Sequence, residues 1–373
     1  MKNLFASVAA LALLSVTTAQ AETYQATNWM TPVHILNEFP YQKFSEDVKA
    51  ATNGGIEFEI YSSGSLVPAP TTMQGVSDGV AALGIVYPAY TPSELPLNNV
   101  VNDLVFVSDD DFAAAFAWTE LGLTNERLIA EWKENGGLFA GGYSTPVYNF
   151  MCIKEITSPQ SAAGLKIRTA GGAQTAWVQA LGAVPVSVPI GDVYSGLERG
   201  SIDCTMSDPT NLDKGNKFWE VAKTVNLAPM GVVLGATYVY NIDFWQGLQP
   251  EQRRVLLDEM AVGLARSQVA YHVGVTAALD GSRERGLNVT EPSPELLTKL
   301  DEFKKSLVAD LPKQAVSVRN VEDPTDIIQA YLELETKWKA LFADVDRTDP
   351  DAVAAIVREN LYKGIDENTF GMN

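Results

Sequence analysis

The stretch that decides the fold is residues 56–87, IEFEIYSSGSLVPAPTTMQGVSDGVAALGIVY. Apolar and acidic residues alternate in Ile56–Tyr61, which predicts a half-buried strand. Residues 71–79 then predict a short helix, and the apolar run at 81–87 predicts a buried strand. Upstream of this stretch, residues 24–29 predict a strand and residues 37–53 an amphipathic helix. The order strand, helix, strand, helix, strand is typical of a mostly parallel sheet covered by helices.

A second set of strands and helices follows. Residues 110–135 predict one long helix, closed by Gly136 and Gly137. Beyond it we expect strands at residues 147–153, 165–168, 184–188 and 201–206, and helices at residues 172–181 and 191–198. Because ~350 residues exceed what one hydrophobic core usually supports, the sequence predicts two α/β lobes. No long flexible linker divides them, which suits hinge bending.

A much longer helix is predicted at residues 250–285. Pro250 suits a first helical turn, and no proline follows until Pro292. Such a helix would be about 50 Å long, which exceeds the diameter of either lobe, so we expect it to lie across both. Three more helices are predicted at residues 295–309, 324–344 and 351–363. They pack either on the outside of the lobes or against a partner chain.

The first 21 residues have the features of a signal peptide. Lys2 supplies a positive start, residues 4–16 are small or apolar, and Ala19-Gln20-Ala21 is a cleavage pattern. The apolar run is shorter than the about 20 residues that span a bilayer. An amphipathic start to the first helix is the alternative, and the polar residues after the run argue against it. We therefore expect a periplasmic protein whose mature chain begins near Glu22.

Composition excludes several function classes. The formal net charge of -19 repels nucleic-acid phosphates, so no nucleic-acid partner is expected. Only His34 and His272 accompany Cys152 and Cys204, which argues against a cysteine-based zinc site, and no cofactor is expected. The two cysteines either form a disulfide or remain separate buried thiols, and the sequence favours neither.

Catalytic motifs are absent from the sequence: it contains no G-x-S-x-G, no H-E-x-x-H and no phosphate-binding glycine loop. The feature with evident chemistry is Gly164-Leu165-Lys166-Ile167-Arg168, an apolar strand that ends in an arginine. Open α/β sheets bind ligands at the carboxyl ends of their strands, and the planar guanidinium fork suits a carboxylate. From spacing alone, a structural ion pair is still the favoured role for Arg168.

The segment at 164–168 resembles the G-L-K-I-R signature of the DctP-type solute-binding proteins of TRAP (tripartite ATP-independent periplasmic) transporters. Other segments resemble elements of the same family in the same order: residues 60–66 (IYSSGSL), 181–185 (LGAVP), 192–203 (DVYSGLERGSID) and 241–259. The resemblance covers residues 22 to about 330.

The resemblance implies an α/β, two-lobed periplasmic binding protein of type II-like fold. It further implies a long helix across both lobes, a helical C-terminal extension and no enzymatic activity. By analogy, lobe I comprises residues 22–145 and 234–273, lobe II comprises 146–233 and 274–330, and the extension is 331–373. The extension either joins two copies as a homodimer or wraps its own lobe in a monomer.

The resemblance also assigns a role and partners. In that family the arginine of the signature binds the ligand carboxylate, so the role falls on Arg168. The expected partners are a small organic acid and the membrane subunits of a TRAP transporter. Two alternatives remain: a receptor that presents its ligand to a sensor protein, and an exported enzyme acting on a carboxylated substrate.

Two departures from the family bear on the ligand. Many members carry a second arginine about twenty residues before the first, where this chain has Tyr148-Asn149-Phe150. The usual Asp-Gly pair reads Asp203-Cys204, which leaves open the shape of what we take to be a ligand-facing loop. With one arginine we expect one ligand carboxylate, because a second buried charge without a partner would be costly.

We therefore favour a monocarboxylate with an aromatic or apolar body, surrounded by aromatic walls. A small 2-oxo or 2-hydroxy acid and a C4-dicarboxylate are the alternatives. The residues expected to bind the ligand are Arg168, Tyr148, Trp29, Tyr87, Trp177, Ser207, Asp208, Trp219 and Tyr238. Tyr90 and Phe218 lie in the same segments as these aromatic residues, and any single ring among them is more often core or surface filler.

Overall fold

The computed structural model describes residues 22–372, so the predicted signal peptide at residues 1–21 lies outside the described part of the chain. Its strands are β1 (Glu22–Thr27), β2 (Ile56–Tyr61), β3 (Leu83–Val86), β4 (Gly137–Ser144), β5 (Asn149–Cys152), β6 (Lys166–Thr169), β7 (Val184–Ser187), β8 (Cys204–Ser207), β9 (Thr224–Asn226), β10 (Leu234–Asn241) and β11 (Asn288–Thr290). Its α-helices are α1 (Ile35–Asn37), α2 (Phe44–Ala51), α3 (Thr72–Ser77), α4 (Pro96–Leu104), α5 (Asp111–Thr124), α6 (Glu126–Glu134), α7 (Pro159–Ala162), α8 (Gly172–Ala180), α9 (Val193–Glu198), α10 (Ile242–Gly247), α11 (Pro250–Glu284), α12 (Pro294–Arg319), α13 (Thr325–Leu341) and α14 (Pro350–Val357). Among these helices, none is both long and apolar enough to cross a bilayer.

The first sheet has five strands in the order β2-β1-β3-β10-β4. β1 pairs in parallel with β2 and β3, and β10 runs antiparallel between β3 and β4. Ile56 and Phe58 of β2 are buried, whereas Glu59 on the other face is exposed, as the alternation predicts. The structure confirms the predicted opening of the fold, and β10 completes the sheet from a distant part of the chain.

The second sheet has six strands in the order β11-β9-β5-β8-β6-β7. β6 pairs in parallel with β7 and β8, and β5 runs antiparallel between β8 and β9. Cys152 and Cys204 are directly opposite each other on β5 and β8 and form a disulfide. Of the two alternatives open at the sequence level, the structure shows the disulfide.

The two sheets draw on separate parts of the chain. Strands of the first sheet lie within residues 22–144 and 234–241, and those of the second lie within 149–226 and 288–290. This is the two-lobed α/β architecture expected from the sequence. The lobe boundaries given above remain a prediction, and α12, which we assigned to lobe II, also packs on α4 of the first lobe.

The long helix is present as α11, which spans 35 residues from Pro250 to Glu284. It packs against α2 and β4 on the side of the first lobe, and against the segment Pro209–Leu212 and β11 on the side of the second. The helix therefore lies across both lobes, as its length predicts.

The C-terminal helices pack on their own chain. α13 lies along α5, and α14 lies along α11. Arg347 donates to both carboxylate oxygens of Asp110 at 2.9 and 3.0 Å, and Lys339 forms an ion pair with Asp109 at 3.1 Å. The described residues of the extension therefore pack on their own lobe, and its role in joining two copies stays a prediction.

The predicted helix at 110–135 is two helices, α5 and α6, that meet at Asn125. The side chain of Asn125 accepts from the backbone N–H groups of Arg127 and Leu128 and so caps α6. Because Asn is a strong N-cap residue, a new helix begins there although the apolar pattern continues. The prediction of a single helix was wrong for this reason.

Candidate ligand-binding site

A cavity lies where the carboxyl ends of the strands of the two sheets face each other. The loops after β1 and β3 supply one side, and β6 together with the loop after β8 supplies the other. The lining residues are Trp29, Met30, His34, Leu36, Tyr87, Tyr90, Tyr143, Thr145, Tyr148, Arg168, Ala170, Ile190, Asp208, Asn211, Val233 and Tyr271. This is the position at which α/β sheets bind ligands.

Arg168 is the cation of this cavity, and it is 1% exposed. Its neighbour Ile167 on β6 faces the core, so strand alternation turns Arg168 to the opposite face. Its Nε donates to the carbonyl oxygen of Val188 at 3.0 Å, and its Nη2 donates to the hydroxyl of Tyr90 at 2.8 Å. Its Nη1 is buried without a hydrogen-bond partner among the described residues.

No carboxylate of the described residues lies within 4.0 Å of the Arg168 guanidinium. The structural ion pair that spacing alone favoured is therefore not found. A buried charge without a partner of opposite sign costs several kcal/mol. This guanidinium is arranged to receive an anion.

Tyr90 is a second donor beside Arg168. Its hydroxyl oxygen accepts from Arg168 and also from the backbone N–H of Ile190 at 2.9 Å. With both acceptor positions of the oxygen occupied, its own proton is left to donate to a third group. Arg168 Nη1 and the Tyr90 hydroxyl thus form a pair of donors suited to a carboxylate.

Tyr148 stands where many members of the family carry the second arginine. Its backbone N–H donates to the carbonyl of Gly231 at 2.8 Å. Gly231 has φ 71°, and a Cβ there would lie 2.0 Å from the carbonyl oxygen of Phe106, so only glycine fits this turn. Burial raises the pKa of Tyr148, and the charge of Asp208 raises it further while Arg168 opposes both, so the phenol stays protonated.

Aromatic rings form the wall on the side of the first lobe. Trp29 and Tyr87 each make an edge-on contact with Tyr90, with ring centroids 5.5 and 4.8 Å apart. The indole N–H of Trp29 donates to the carbonyl of Ile85, and the Tyr87 hydroxyl donates to the carbonyl of Ala170 in the other lobe. These bonds hold the rings in place in the closed arrangement, and the Trp29 bond lies within the first lobe alone.

Asp208 and Asn211 form the polar end of the same cavity. Asp208 is 1% exposed and follows β8 directly, where it caps the short helix Pro209–Leu212. Burial raises the pKa of Asp208 to about 6. Burial also lowers the pKa of His34 to about 4, so this imidazole is neutral at neutral pH. Arg168 is thus the one permanent cation among the lining residues.

The cavity is narrow in this conformation. Its volume is only about 20 Å³, close to what one water needs. An organic acid can enter only if the walls move apart. A larger groove of about 500 Å³ lies at the rim between the lobes, but its arginine, Arg319, is already paired with Asp103.

The structure brings together five of the nine predicted residues: Arg168, Tyr148, Trp29, Tyr87 and Asp208 all line the cavity. Ser207 lies one layer behind, where its hydroxyl accepts from Asn211. His34, Asn211, Tyr143 and Tyr271 were missed. They come from segments far apart in sequence, and no motif in the sequence singles them out.

Three predicted residues lie away from the cavity. Trp177 is buried on α8 against Phe303. Trp219 stacks with the guanidinium of Arg285 near the surface. Tyr238 points into the first lobe, where its ring contacts Phe44. The apolar area of these rings is used in packing, which sequence position alone does not distinguish from a ligand wall.

The structure also shows where Asp203 and Cys204, which stand in place of the family's usual Asp-Gly pair, lie. Both residues lie at the amino end of β8, whereas the cavity is at its carboxyl end. Asp203 accepts from the backbone N–H of Lys166 at 2.9 Å and pairs with Lys154 at 2.8 Å. The assumption that these two residues belong to a ligand-facing loop was wrong, because they lie at the end of β8 remote from the cavity. Within the described residues, no group of His, Cys, Asp and Glu side chains is placed to hold a metal.

Two lobes bridged by a long helix, with a buried arginine between them that has no carboxylate partner among the described residues, are typical of two-lobed solute-binding proteins. The family model for bacterial extracellular solute-binding proteins, family 7 (DctP), matches residues 30–314. The chain belongs to this family.

Comparison with individual proteins agrees with this assignment. The C4-dicarboxylate-binding periplasmic protein DctP of Rhodobacter capsulatus is 27% identical over 222 residues, which cover 59% of this chain and 65% of the relative. DctP7 of Bordetella pertussis, an extracytoplasmic solute receptor binding pyroglutamic acid, has a TM-score of 0.73 at 22% identity, with 85% of this chain and 100% of that chain covered. A marine metagenome TRAP solute-binding protein specific for aromatic acid ligands has a TM-score of 0.76 at 20% identity, with 85% and 99% covered. At these identities the two structures show the fold alone.

Proposed function

We propose that this protein is the periplasmic solute receptor of a TRAP transporter and binds a small monocarboxylic acid between its lobes. Arg168 and Tyr90 would hold the carboxylate, and the closed protein would deliver the acid to the membrane subunits. The observation that carries the proposal is the buried guanidinium of Arg168, which has an unbonded Nη1 and no carboxylate partner among the described residues.

The number of cations in the cavity supports one carboxylate. Arg168 stands alone among the lining residues as a permanent cation. Tyr148 lies in the segment that the family resemblance matches to the second arginine of other members. The rings of Trp29, Tyr87 and Tyr90 offer a flat apolar wall to the remainder of the ligand. The two similar structures are named for pyroglutamic acid and for aromatic acids, and these ligands each carry a carboxylate on a ring-shaped body. The main alternative ligand is a C4-dicarboxylate, for which the Rhodobacter capsulatus relative is named.

The test is to identify what the protein carries and what stabilises it. Small molecules would be extracted from natively purified protein and identified by mass spectrometry. A thermal-shift panel would compare benzoate, pyroglutamate, pyruvate, succinate and malate on the wild type and on Arg168→Ala. We expect a monocarboxylate to be carried and to raise the melting temperature of the wild type alone. Stabilisation by succinate or malate, with none by a monoacid, would contradict the proposal.

The same preparation tests the alternative of an exported enzyme. Incubation of the purified protein with the identified acid should return that acid unchanged. If the acid is converted to a product and this activity is lost in Arg168→Ala, the protein is an enzyme and the proposed receptor function is wrong.

A further inference from the structure

Asp208 is a buried carboxylate that lines the same cavity as Arg168, and no cation of the described residues pairs with it. Its Oδ1 accepts from the backbone N–H of Thr210 at 3.0 Å and from the Thr210 hydroxyl, and its Oδ2 accepts from Nδ2 of Asn211 at 2.6 Å. All three donors are neutral. Asp208 forms no ion pair with the described residues, although Arg168 lines the same cavity.

A structural role as a helix cap does not require the charge. Ser and Asn cap helices about as well as Asp, and burying either costs much less than burying a carboxylate. Donors from other residues use three of the roughly four acceptor positions of the carboxylate, and the N–H of Asp208 itself also lies against it. Among other residues, Oδ2 accepts from Asn211 alone. The remaining position belongs to a group that lines the cavity.

Two polar neighbours of Asp208, Asn211 and His34, have no donor to spare for that position. The neutral phenols of Tyr143, Tyr148 and Tyr271 lie near the carboxylate, but none of them donates to it in the described structure. Asn211 uses Nδ2 for Ser207 at 2.9 Å and for Asp208, and its Oδ1 accepts from Asn216. His34 accepts from the N–H of Leu36 through Nδ1, so its proton is on Nε2, and this imidazole is hydrogen-bonded to Asn211. The amide of Asn211 is therefore fixed in one orientation, and this end of the cavity presents acceptors.

From this geometry we infer that Asp208 selects ligands that carry a hydrogen-bond donor, N–H or O–H, on the part of the molecule remote from the carboxylate. The inference rests on the proposed function, because it takes Arg168 as the carboxylate receptor. The ligand is then oriented by the cavity: its carboxylate accepts from Arg168, and its donor group contacts Asp208. A body without a donor would leave a buried carboxylate with an unmatched lone pair, and sites of this kind reject such analogues strongly.

Two matched pairs of acids test the inference by calorimetry. Pyroglutamate would be compared with 5-oxotetrahydrofuran-2-carboxylate, its lactone counterpart, in which an oxygen replaces the N–H. 3-Hydroxyphenylacetate would be compared with 3-methylphenylacetate. In the wild type, we expect the donor-bearing acid of at least one pair to bind ten-fold or more tightly than its counterpart. In Asp208→Asn that preference should fall below about three-fold, with the affinity of the donor-free acid kept or improved.

Two controls separate the possible outcomes. Asp203→Asn changes another buried Asp on the same strand, which pairs with Lys154 outside the cavity, and it should keep the preference. Retained binding of the donor-free acid shows that Asp208→Asn is folded, which is expected because Asn also caps helices. Two results overturn the inference and leave the proposed function intact. In the first, binding depends on Arg168 but shows no preference for donor-bearing acids. In the second, the preference survives in Asp208→Asn. Failure of all four acids to bind the wild type overturns both.

Discussion

At the scale of single residues, the proposed function depends on the buried guanidinium of Arg168. Five guanidinium N–H groups are available, and the described residues accept from Nε and Nη2 only. A chain that buries this charge without an internal carboxylate gives up stability, which a bound anion restores. The sequence identified this residue through its position at the end of an apolar strand and through the family resemblance, but it could not show whether an internal carboxylate was near.

The first prediction is that Arg168→Ala abolishes carboxylate binding while the fold persists. Removing one partner of a buried, hydrogen-bonded charge pair costs about 3–5 kcal/mol, or roughly two to three and a half decades in dissociation constant. Arg168→Lys should recover part of this loss, because an ammonium cannot donate two parallel bonds from a planar fork. Calorimetry on the three proteins measures it, and equal affinities in all three would contradict the role.

The second prediction concerns pH and follows from Asp208. Burial raises its pKa to about 6, and the ionised form accepts from a ligand N–H more strongly than the protonated form does. Ligand binding therefore favours ionised Asp208 and lowers its pKa. The affinity for pyroglutamate should be constant above about pH 6.5 and fall below pH 6, by up to about ten-fold per pH unit.

The other ionisable groups near Asp208 do not titrate in this window. Burial raises the pKa values of Tyr143, Tyr148 and Tyr271 and lowers that of His34 to about 4, so all four stay neutral between pH 5 and 7.5. The guanidinium of Arg168 stays charged. Calorimetry from pH 5.0 to 7.5 measures the effect. The same slope in Asp208→Asn would assign the pH dependence to another group.

At the scale of elements, three helices meet at the rim between the lobes. Asp103 on α4 accepts from the backbone N–H of Ala173 at 2.8 Å, at the start of α8, and forms an ion pair with Arg319 at the end of α12. α4 belongs to the first lobe, whereas α8 belongs to the second. Asp103 therefore joins the lobes at a distance from the cavity and favours the closed arrangement.

The third prediction is that Asp103→Ala weakens ligand affinity without touching the cavity. Loss of this contact moves the population toward the open form. If the closed form loses about 1–2 kcal/mol of stability, the apparent affinity falls about ten-fold, in proportion to the lost fraction of closed protein. The exposed ion pair of Arg127 with Asp326 offers a control, and Asp326→Ala should leave affinity unchanged. Equal affinities of wild type and Asp103→Ala would remove Asp103 from the closing mechanism.

Elements were predictable where one physical signal dominates. The 35 residues of α11 follow from Pro250 at the start and the absence of later prolines, and β2 follows from strict alternation. The break at Asn125 was missed because a cap is a local hydrogen bond that apolar periodicity does not show. Trp177 was misplaced because an aromatic ring on a helix next to the cleft satisfies the same pattern whether it faces the ligand or the core.

At the scale of the whole molecule, the cavity requires the lobes to move. Its continuous volume of about 20 Å³ excludes an organic acid, and its walls come from both lobes. Tyr90 and Tyr87 of the first lobe contact Arg168 and Ala170 of the second, so opening breaks both hydrogen bonds. The ligand carboxylate bridges the same elements and would restore the lost contacts across the lobes.

The fourth prediction is that ligand shifts this equilibrium toward the closed form. Because only differential contacts move such an equilibrium, an acid that touches both lobes should reduce the radius of gyration measured by small-angle X-ray scattering. Arg168→Ala should show no change with the same acid. Identical scattering profiles of the wild type with and without saturating acid would speak against hinge closure.

The most direct test of the central claim is a crystal structure of the protein with the acid it carries through native purification. We predict that the acid occupies the cavity between the two sheets, with its carboxylate oxygens within about 3 Å of Arg168 Nη1 and of the Tyr90 hydroxyl oxygen. A structure in which the acid binds elsewhere, or in which Arg168 Nη1 stays without an anionic partner, would contradict the account.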